Sequence, residues 1–508
     1  MRLSNDEQLT GHCFGKEAFK GLKNLRFLEW YWLSFDGDLS RLFKSLRWLS
    51  WHSCPEDFTA TNLNLQNLVI LDLSWSGISE QWDGWSRIKM GHLKVLDLTG
   101  CKNLTKSPDF SKYTALERLI LADCEALTEI DRSVGKLKRL KHLNVRGCDS
   151  LRGGTLLMGA LPREMESLSR LKVLDLLNTR IPELFSVSKF SLLQILDLEK
   201  CHQLRELPEL PKSLVSLHES FRSLQKLPDF SELHNLVDLK LFDASGDWAL
   251  GLVLAKIGAY RLNGSFSFDA LMNADGEPSD SIEWVQKMSK LVTLELSLRN
   301  FTNLPTDFHA LTRLKVLELS CPHISSPPQF PFTLSRLILG HLVVEQNLLD
   351  LSHLKNLSYL RFYDYLIVDG FFRIGIKVLH SLNALMIDSC EIYDLCGCCL
   401  PENLRSISIY RCHLLRDQRV PLAGKLEDLS KLQKLEVLEV EDCDSLVDVE
   451  GEGGIRATQD LTDERQFAET PGELMVIGGH SQHSLQISTR SLDSLRDLSL
   501  TDIYRFWT

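Results

Sequence analysis

Several features that mark common classes of protein are absent from this chain. The first ten residues contain no apolar stretch and no small-residue cleavage site, which excludes a secretion signal there. The longest apolar run, near Leu250–Ala255, is far too short to span a bilayer. The net charge is −11, which argues against a partner bound through its phosphates. We therefore expect a cytoplasmic or nucleo-cytoplasmic protein with no membrane span and no nucleic-acid partner.

Motifs for catalysis and for cofactor binding are missing as well. No G-x-x-x-x-G-K-[ST] phosphate loop occurs, and the nearest look-alike, Gly11–Lys16, has the wrong spacing. There is no G-x-S-x-G nucleophile elbow, and His218-Glu219 lacks the second histidine of a metalloprotease helix. Cys396-Gly-Cys-Cys399 lacks the second pair of ligands that a zinc site needs. We therefore expect no enzymatic activity, no catalytic residue, no cofactor and no metal site.

A recurrent leucine frame fills most of the chain. Its form is Leu-x-x-Leu-x-Leu-x-x-Cys-x-x-Leu, and Leu93–Leu104 is the clearest example. The first leucine of the frame recurs at Leu25, Leu46, Leu68, Leu93, Leu116, Leu140, Leu171, Leu193, Leu214, Leu236, Leu291, Leu314, Leu334, Leu357, Leu382, Leu404, Leu435 and Leu495. From the first to the sixth of these the mean step is 115/5 = 23 residues, which is typical of leucine-rich repeats.

Hydrophobicity within the frame alternates with a period of two. Of the eighteen sixth positions, fourteen are Leu, Ile or Val, three are aromatic, and only Glu219 is polar. Apolar residues at positions 1, 4 and 6 predict a short strand in every repeat, with successive strands stacked in parallel. We therefore predict an α/β-type solenoid, a leucine-rich-repeat horseshoe with a parallel sheet on its concave side and irregular or short-helical segments on its convex side.

Two gaps in the period, of 55 residues after Leu236 and of 60 residues after Leu435, suggest boundaries within the chain. We predict a weak N-terminal cap or linker remnant at 1-24, repeats at 25-242, a degenerate repeat or insertion at 243-290, repeats at 291-446, a polar mobile insertion at 447-490, and a last repeat with the C-terminal end at 491-508. Both ends are poorly capped for a solenoid, which is consistent with a fragment or a shortened gene product.

Cysteine is concentrated at one position of the frame. Eight of the thirteen cysteines occupy position 9, namely Cys54, Cys101, Cys124, Cys148, Cys201, Cys390, Cys412 and Cys443. Neighbouring rungs would lie ~5 Å apart, within disulfide range by distance alone. Parallel side chains and a reducing compartment favour free thiols instead. We expect a column of buried thiols whose S–H groups meet loop carbonyls.

The repeats also carry a family resemblance. Tryptophans are regularly spaced in Leu46–Pro55 and Asn67–Trp82, and a Cys-x-x-Leu rung follows in Leu93–Phe110. With these features, nearly the whole chain resembles the leucine-rich-repeat domain of plant TIR-NBS-LRR (NLR) disease-resistance proteins. The resemblance implies recognition of a pathogen molecule or a modified host protein, and restraint of a nucleotide-binding core. This chain contains neither a TIR nor a nucleotide-binding region, so NAD cleavage and nucleotide exchange are not implied for it.

Residues between the leucines of such a solenoid face water and are free to bind a partner. Tyrosine and arginine, the types enriched at interface hot spots, cluster in the repeats from Leu334 to Leu404. The predicted protein-binding residues are Arg336, Tyr359, Arg361, Tyr363, Tyr410 and Arg411. The ordinary alternative is a set of unrelated exposed side chains.

Two further groups of exposed positions have alternative interpretations. Trp48 and Trp75 are predicted to dock against a nucleotide-binding domain, with local packing as the alternative, whereas Trp30 and Trp51 occupy core positions. Position 5 is acidic at Glu29, Asp72, Asp97, Asp175, Asp197, Glu295, Glu318 and Glu439. This acidic column either attracts a basic partner or is a solvated face that prevents edge aggregation.

Together these observations predict a sensor or autoinhibitory recognition module of plant innate immunity. Its partner would be a protein, either a pathogen effector or a host protein bound on the concave face, with a nucleotide-binding domain in cis or in trans as a further partner. The alternative is a substrate-receptor or adapter protein of a ubiquitin ligase. That alternative needs an F-box-like helical motif near the N-terminus, and residues 1–24 are too short for one.

Overall fold

A computed structural model shows how the repeats fold. It describes residues 2–3, 13–14, 16–19, 21–31, 34–35, 37–39, 42–57, 62–152, 161–204, 206–221, 230–243, 283–297, 307–320, 329–340, 349–364, 375–392, 400–414, 425–426, 432–441, 448–449, 474–476 and 485–489. The chain divides into two units, Met1–Glu277 and Pro278–Thr508, and the division falls within the segment predicted as an insertion at 243-290. The predicted boundaries themselves stay predictions.

The first unit is built on short strands, one in each leucine frame and three more near the N-terminus. Its strands are β1 Arg2–Leu3, β2 Cys13–Phe14, β3 Phe27–Tyr31, β4 Ser34–Phe35, β5 Trp48–His52, β6 Ile70–Asp72, β7 Val95–Asp97, β8 Arg118–Ile120, β9 His142–Asn144, β10 Val173–Asp175, β11 Ile195–Leu198, β12 Ser216–Phe221 and β13 Asp238–Asp243. From β5 to β13 each strand pairs in parallel with the next. Strand β3 pairs with both β1 and β5, and β2 pairs with β4, again in parallel.

The second unit repeats this arrangement and then departs from it. Its strands are β14 Thr293–Ser297, β15 Val316–Ser320, β16 Arg336–Gly340, β17 Tyr359–Tyr363, β18 Ala384–Asp388, β19 Glu391–Ile392, β20 Ser406–Tyr410, β21 His413–Leu414, β22 Lys425–Leu426, β23 Val437–Glu441, β24 Asp448–Val449, β25 Leu474–Val476 and β26 Leu485–Thr489. The main ladder runs in parallel through β14, β15, β16, β17, β18, β20 and β23. Strand β26 pairs antiparallel with β23 and with β25, which the expected all-parallel sheet did not include.

The register of the ladder places like positions of the frame side by side. Leu96 on β7 is paired with Leu71 on β6 and with Leu119 on β8, and all three side chains are buried. Each buried leucine contributes roughly 1.5–3 kcal/mol, but only because the neighbouring repeats cover it. The core therefore depends on stacking, as the period of the sequence predicts.

The segments opposite the strands are short and helical in places. In the first unit they include α1 Lys16–Phe19, α2 Gly84–Arg87 and the 3-10 helices Arg132–Lys136 and Arg163–Ser167; in the second they include the 3-10 helices Glu283–Lys287 and Ile376–Val378. Pro162, with φ of −70°, precedes one 3-10 helix and supplies the backbone angle that such a start needs. Among the described residues, no helix has the length and apolarity that crossing a membrane requires.

The predicted thiol column is confirmed wherever the structure describes it. All seven described position-9 cysteines are free and buried. The Sγ atoms of Cys124 and Cys148 donate to the carbonyl oxygens of Leu98 and Leu121 at 3.1 and 3.0 Å. Cys443 lies outside the described residues. The weak S–H donor of a small buried side chain therefore makes a hydrogen bond to a backbone carbonyl oxygen inside the core.

Position 8 of the frame has a backbone conformation that the sequence interpretation did not anticipate. Its φ is positive in ten repeats, at Ser53, Trp75, Gly100, Asp123, Gly147, Asn178, Lys200, Asp364, Ser389 and Arg411. The chain turns inward to the cysteine at this point, and Gly, Asn and Asp adopt the left-handed region most readily. At Gly100 a Cβ atom would lie 2.3 Å from the Trp75 ring, so glycine also makes room for its neighbour.

Candidate functional site

The sheet has an open face, which we define by the side chains at positions 3, 5 and 7, on the side away from the leucine core. On β17 burial alternates along the strand, with Leu360 and Phe362 buried and Tyr359, Arg361 and Tyr363 only partly so. Strand pleating causes this alternation, because successive side chains point to opposite faces. In the described strands the open face is therefore a regular surface that the repeats offer to a partner.

Four of the six predicted binding residues form one cluster on β16 and β17. Arg336 is in register with Tyr359, and its guanidinium carbon lies 4.1 Å from the centre of the Tyr359 ring. Arg361 lies over the Tyr363 ring at 5.2 Å. Stacking of this kind contributes ~0.5–1 kcal/mol at exposed sites and restricts both side chains before any partner arrives.

Gly340 determines where Tyr363 lies. A Cβ atom at Gly340 would approach the Tyr363 ring to 2.2 Å, so the ring occupies the space above this glycine on β16. The Tyr363 hydroxyl then reaches Glu318 on β15 and donates to Oε1 at 3.2 Å. Burial raises the pKa of the Glu318 carboxyl, and the nearby Glu295 carboxylate adds to the increase. One tyrosine thus links three adjacent strands across the open face.

Arg361 and Arg411 share a carboxylate, which the sequence did not reveal. Asp388, only 6% exposed, lies 3.0 Å from Nη2 of Arg361 and 2.7 Å from Nη2 of Arg411. Arg411 follows β20 at position 8, so its positive φ directs the side chain back over β18. Both arginines therefore have an internal acceptor in addition to any contact with a partner.

Tyr410 belongs to a different hydrogen-bonded group. Its hydroxyl donates to Oε2 of Glu439 on β23, and the Ser408 hydroxyl donates to the same oxygen at 2.9 Å. The six predicted residues therefore form a stacked cluster of four, an arginine joined to it through Asp388, and a tyrosine held by the next strand. Whether this surface binds a protein stays a prediction.

The two tryptophans predicted to dock are both exposed but do not lie together. Trp48 begins β5 and is 43% exposed, whereas Trp75 follows the end of β6 and is 57% exposed. Trp30 and Trp51 are buried, as predicted. Phe27, 55% exposed, packs edge-on against Trp48 with ring centroids 6.0 Å apart.

Phe27 and Trp48 continue into an apolar row that the sequence interpretation missed. Ile70 and Val95 occupy the same register position on β6 and β7, and both are partly exposed. The signal was present in the sequence, because all four residues stand at position 3 of successive repeats. We call Phe27, Trp48, Ile70 and Val95 the apolar row.

The acidic column has a structural role in the first unit. The carboxylates of Asp72, Asp97, Asp175 and Asp197 each accept the backbone N–H two residues further on, at 2.9–3.1 Å. Asn144 makes the same bond with its amide oxygen. An Asx turn of this type ends the strand and starts the bend toward position 8. Attraction of a basic partner is therefore not needed to explain the column in these repeats.

A polar cavity of about 880 Å³ lies on the other side of the first unit, between the two 3-10 helices. Its lining residues include Asp131, Arg132 and Glu164, which take part in ion pairs. Small-molecule sites are usually lined by hydrophobic and aromatic side chains, whereas the side chains around this cavity are charged or polar and several are paired with one another. The open face remains the stronger candidate for function.

Short parallel strands, a leucine core and a thiol column together define a leucine-rich-repeat solenoid protein, as the period predicts. No family model matches the chain. In sequence it is similar to disease resistance proteins of Arabidopsis thaliana, which confirms the resemblance inferred from the repeats. It is 36% identical to Disease resistance protein RML1B over 141 residues, which are 26% of this chain and 14% of that protein.

Longer and weaker matches extend the similarity. Disease resistance-like protein DSC1 is 27% identical over 378 residues, which cover 63% of this chain and 30% of that protein. The matched segments thus span less than one third of these relatives. Among solved structures, a leucine-rich-repeat protein of Leptospira interrogans is 18% identical, with a TM-score of 0.42 over 75% of this chain and 80% of that one. That likeness is too distant to carry an argument about function.

Proposed function

We propose that this chain is a protein-recognition module of plant innate immunity that binds a pathogen effector or a host protein through its open face. The observation that carries the proposal is the stacked cluster of Arg336, Tyr359, Arg361 and Tyr363. Its rings and guanidinium groups are held by neighbouring strands, so a partner meets a surface whose side chains have lost much of their freedom. Similarity to disease resistance proteins supports the biological setting.

The apolar row supports a second contact, with a nucleotide-binding domain in cis or in trans. Phe27 and Trp48 are adjacent and each more than 40% exposed, and the apolar surface continues through Ile70 and Val95, as is characteristic of interaction sites. Trp48 belongs to this row, and Trp75 lies at the far end of the neighbouring strand. A cytoplasmic or nucleo-cytoplasmic location fits both proposals, since a column of free thiols, as in the seven described position-9 cysteines, is typical of a reducing compartment.

Site-specific photo-crosslinking tests the proposal. A benzoylphenylalanine at Tyr359 should give a discrete protein adduct in extract from pathogen-challenged leaves. Phe332, 61% exposed in the turn before β16, provides a matched aromatic control off the open face. When Arg336→Ala is combined with the crosslinker at Tyr359, the yield of the adduct should fall about 30-fold. This is the effect of losing about 2 kcal/mol of binding free energy at a hot spot. We choose Arg336 because removing Arg361 would also break its ion pair with buried Asp388.

The outcomes separate the candidate functions. Equal labelling from Tyr359 and Phe332, or none from Tyr359, would contradict recognition through the open face. An adduct with a ubiquitin-ligase subunit would favour the alternative function instead. The same crosslinker at Trp48, with a relative's nucleotide-binding domain as the added probe, tests the second contact separately.

A further inference from the structure

A histidine and three carboxylates meet on the open face of the first unit, where β11, β12 and β13 lie side by side. Asp197 on β11 and His218 on β12 are register partners at position 5. Glu199 follows β11, and Asp238 begins β13. These residues lie outside the tyrosine–arginine cluster and outside the apolar row.

Three of these side chains can direct ligand atoms at a single point. One ligand atom each from Asp197, Glu199 and His218 lies within 4.8 Å of the other two. His218 Nδ1 is 3.2 Å from Asp197 Oδ2. Ligands of a tetrahedral metal with bonds of about 2.1 Å stand roughly 3.4 Å apart, so small side-chain rotations would complete the set.

The orientation of His218 is determined by a carboxylate that is not in the set. His218 Nε2 lies 2.7 Å from Asp238 Oδ2, to which the Ser216 hydroxyl also donates at 3.1 Å. With Nε2 bonded to Asp238 and Nδ1 bonded to Asp197 Oδ2, the imidazole bridges two carboxylates, and a metal ion would replace the proton between Nδ1 and Asp197. Metal-binding histidines are characteristically held in this way by a second carboxylate.

Asp197 is held as well. Its Oδ1 accepts the backbone N–H of Glu199 at 3.0 Å, which leaves Oδ2 facing His218. The third ligand, Glu199, has a weaker competing partner, since Lys200 Nζ is 3.9 Å away and largely exposed. Two of the three ligands are therefore oriented before any ion arrives.

We propose that Asp197, Glu199 and His218 form a binding site for a divalent transition-metal ion, with zinc as the ion that fits best. One imidazole with two carboxylates suits zinc, whereas calcium and magnesium prefer oxygen alone. Three protein ligands leave a fourth position on the open face for water or a donor group of a bound partner. The sequence predicts no metal site, because Asp197 and His218 are 21 residues apart in different repeats.

Zinc titration calorimetry on the whole reduced chain tests the site. The wild type should bind one zinc ion more than His218→Ala, and Asp197→Asn should weaken that ion at least tenfold. Asp238→Asn should weaken it by about 10–100-fold, the usual effect of removing a carboxylate that orients a ligand histidine. His142→Ala is the matched control, because His142 is a half-buried histidine at position 3 of β9, and it should bind as the wild type does.

Cobalt absorption distinguishes this site from the cysteines. The part of the cobalt absorption spectrum that is present in the wild type and absent in His218→Ala should be typical of nitrogen and oxygen ligands. It should contain no thiolate charge-transfer band. Equal stoichiometry and affinity in wild type and His218→Ala would overturn the proposal, and His218 would then serve an internal ion pair only. If His218→Ala fails to fold, the Asp197→Asn variant gives the same test, because it keeps the shape of the side chain and removes the charged ligand. Zinc affinity equal to that of the wild type in folded Asp197→Asn would then overturn the proposal.

Discussion

At the scale of single residues, the strands contain carboxyl groups that folding has partly removed from water, on the open face and also in the core. Glu318 is the clearest case in the second unit, because it is half-buried and near another carboxylate, Glu295. Glu219 in the first unit is more extreme, since it is 2% exposed at position 6, between Leu198 and Leu241. Burial raises the pKa of Glu219 well above its usual value, and its Oε2 has no hydrogen-bond partner. Such residues lower stability at neutral pH.

Replacing Glu318 by glutamine should stabilise the second unit at neutral pH. The folded-state pKa of Glu318 is raised above its ordinary value of 4.5, so folding favours the protonated form. The contribution of Glu318 to the free energy of unfolding is therefore fully present below pH 4.5, and it is lost as the pH rises through the raised folded-state pKa. Glutamine can still accept the Tyr363 hydroxyl bond. We expect a higher melting temperature for Glu318→Gln at pH 7, and a difference that disappears toward pH 4.

The matched control is Glu436→Gln, on an exposed carboxylate of the same unit. It should not show this pH-dependent gain, because no burial opposes the charge there. A Glu318→Gln variant that melts below the wild type at pH 7 would show that its carboxylate is favourable as an anion.

At the scale of elements, the residue at position 5 correlates with strand length. Strands β6, β7, β9 and β10 end at an Asp or Asn at position 5 and are three residues long, whereas β14 to β18 have no Asp or Asn at position 5 and are five residues long. Two strands depart from this relation, because β8 is three residues long with Ile120 at position 5 and β11 continues one residue past Asp197. In the Asx turn the side-chain oxygen accepts the backbone N–H two residues further on. This bond competes with the hydrogen bonds of the sheet and so favours the end of the strand. Within the first unit, β12 and β13 have no Asp or Asn at position 5 and are six residues long, so the width of the open face varies along the unit.

Asp97 provides the test of this bond. Its carboxylate accepts from the Thr99 backbone at 2.9 Å and from the Thr99 hydroxyl at 2.6 Å. Asp97→Ala should lower the free energy of unfolding by about 1–2 kcal/mol, measured by urea titration. Asp97→Asn keeps an acceptor oxygen and removes the charge of a carboxyl group whose pKa is raised by burial. It should therefore recover most of the lost stability. Equal stability of the two variants would contradict the Asx role.

At the scale of the whole molecule, stacking protects a column of thiols that no single repeat could bury. The seven described cysteines at position 9 are at most 1% exposed. Burial raises the pKa of Cys101 to about 12 and that of Cys201 to about 11, so the reactive thiolate is scarce at neutral pH.

We expect at most six of the thirteen cysteines to react with a thiol reagent in the native protein, and all thirteen after unfolding in denaturant. The measurement is the absorbance released by Ellman's reagent, after reduction and desalting. Rapid native reaction of more than six thiols would mean that the repeats open far more readily than a stacked core allows.

The sequence by itself determined the repeat, its parallel strands, the leucine core and the thiol column, because burial recurs at fixed local positions and one period describes all of them. It also located Trp30 and Trp51 in the core. Only the tertiary structure decided which side chains meet across strands. Tyr363 reaches Glu318 over 45 residues, Asp388 receives two arginines, and His218 lies between Asp197 and Asp238. Such contacts depend on the register between repeats of unequal length, and on a positive φ or a missing Cβ, which a pattern of leucines does not specify.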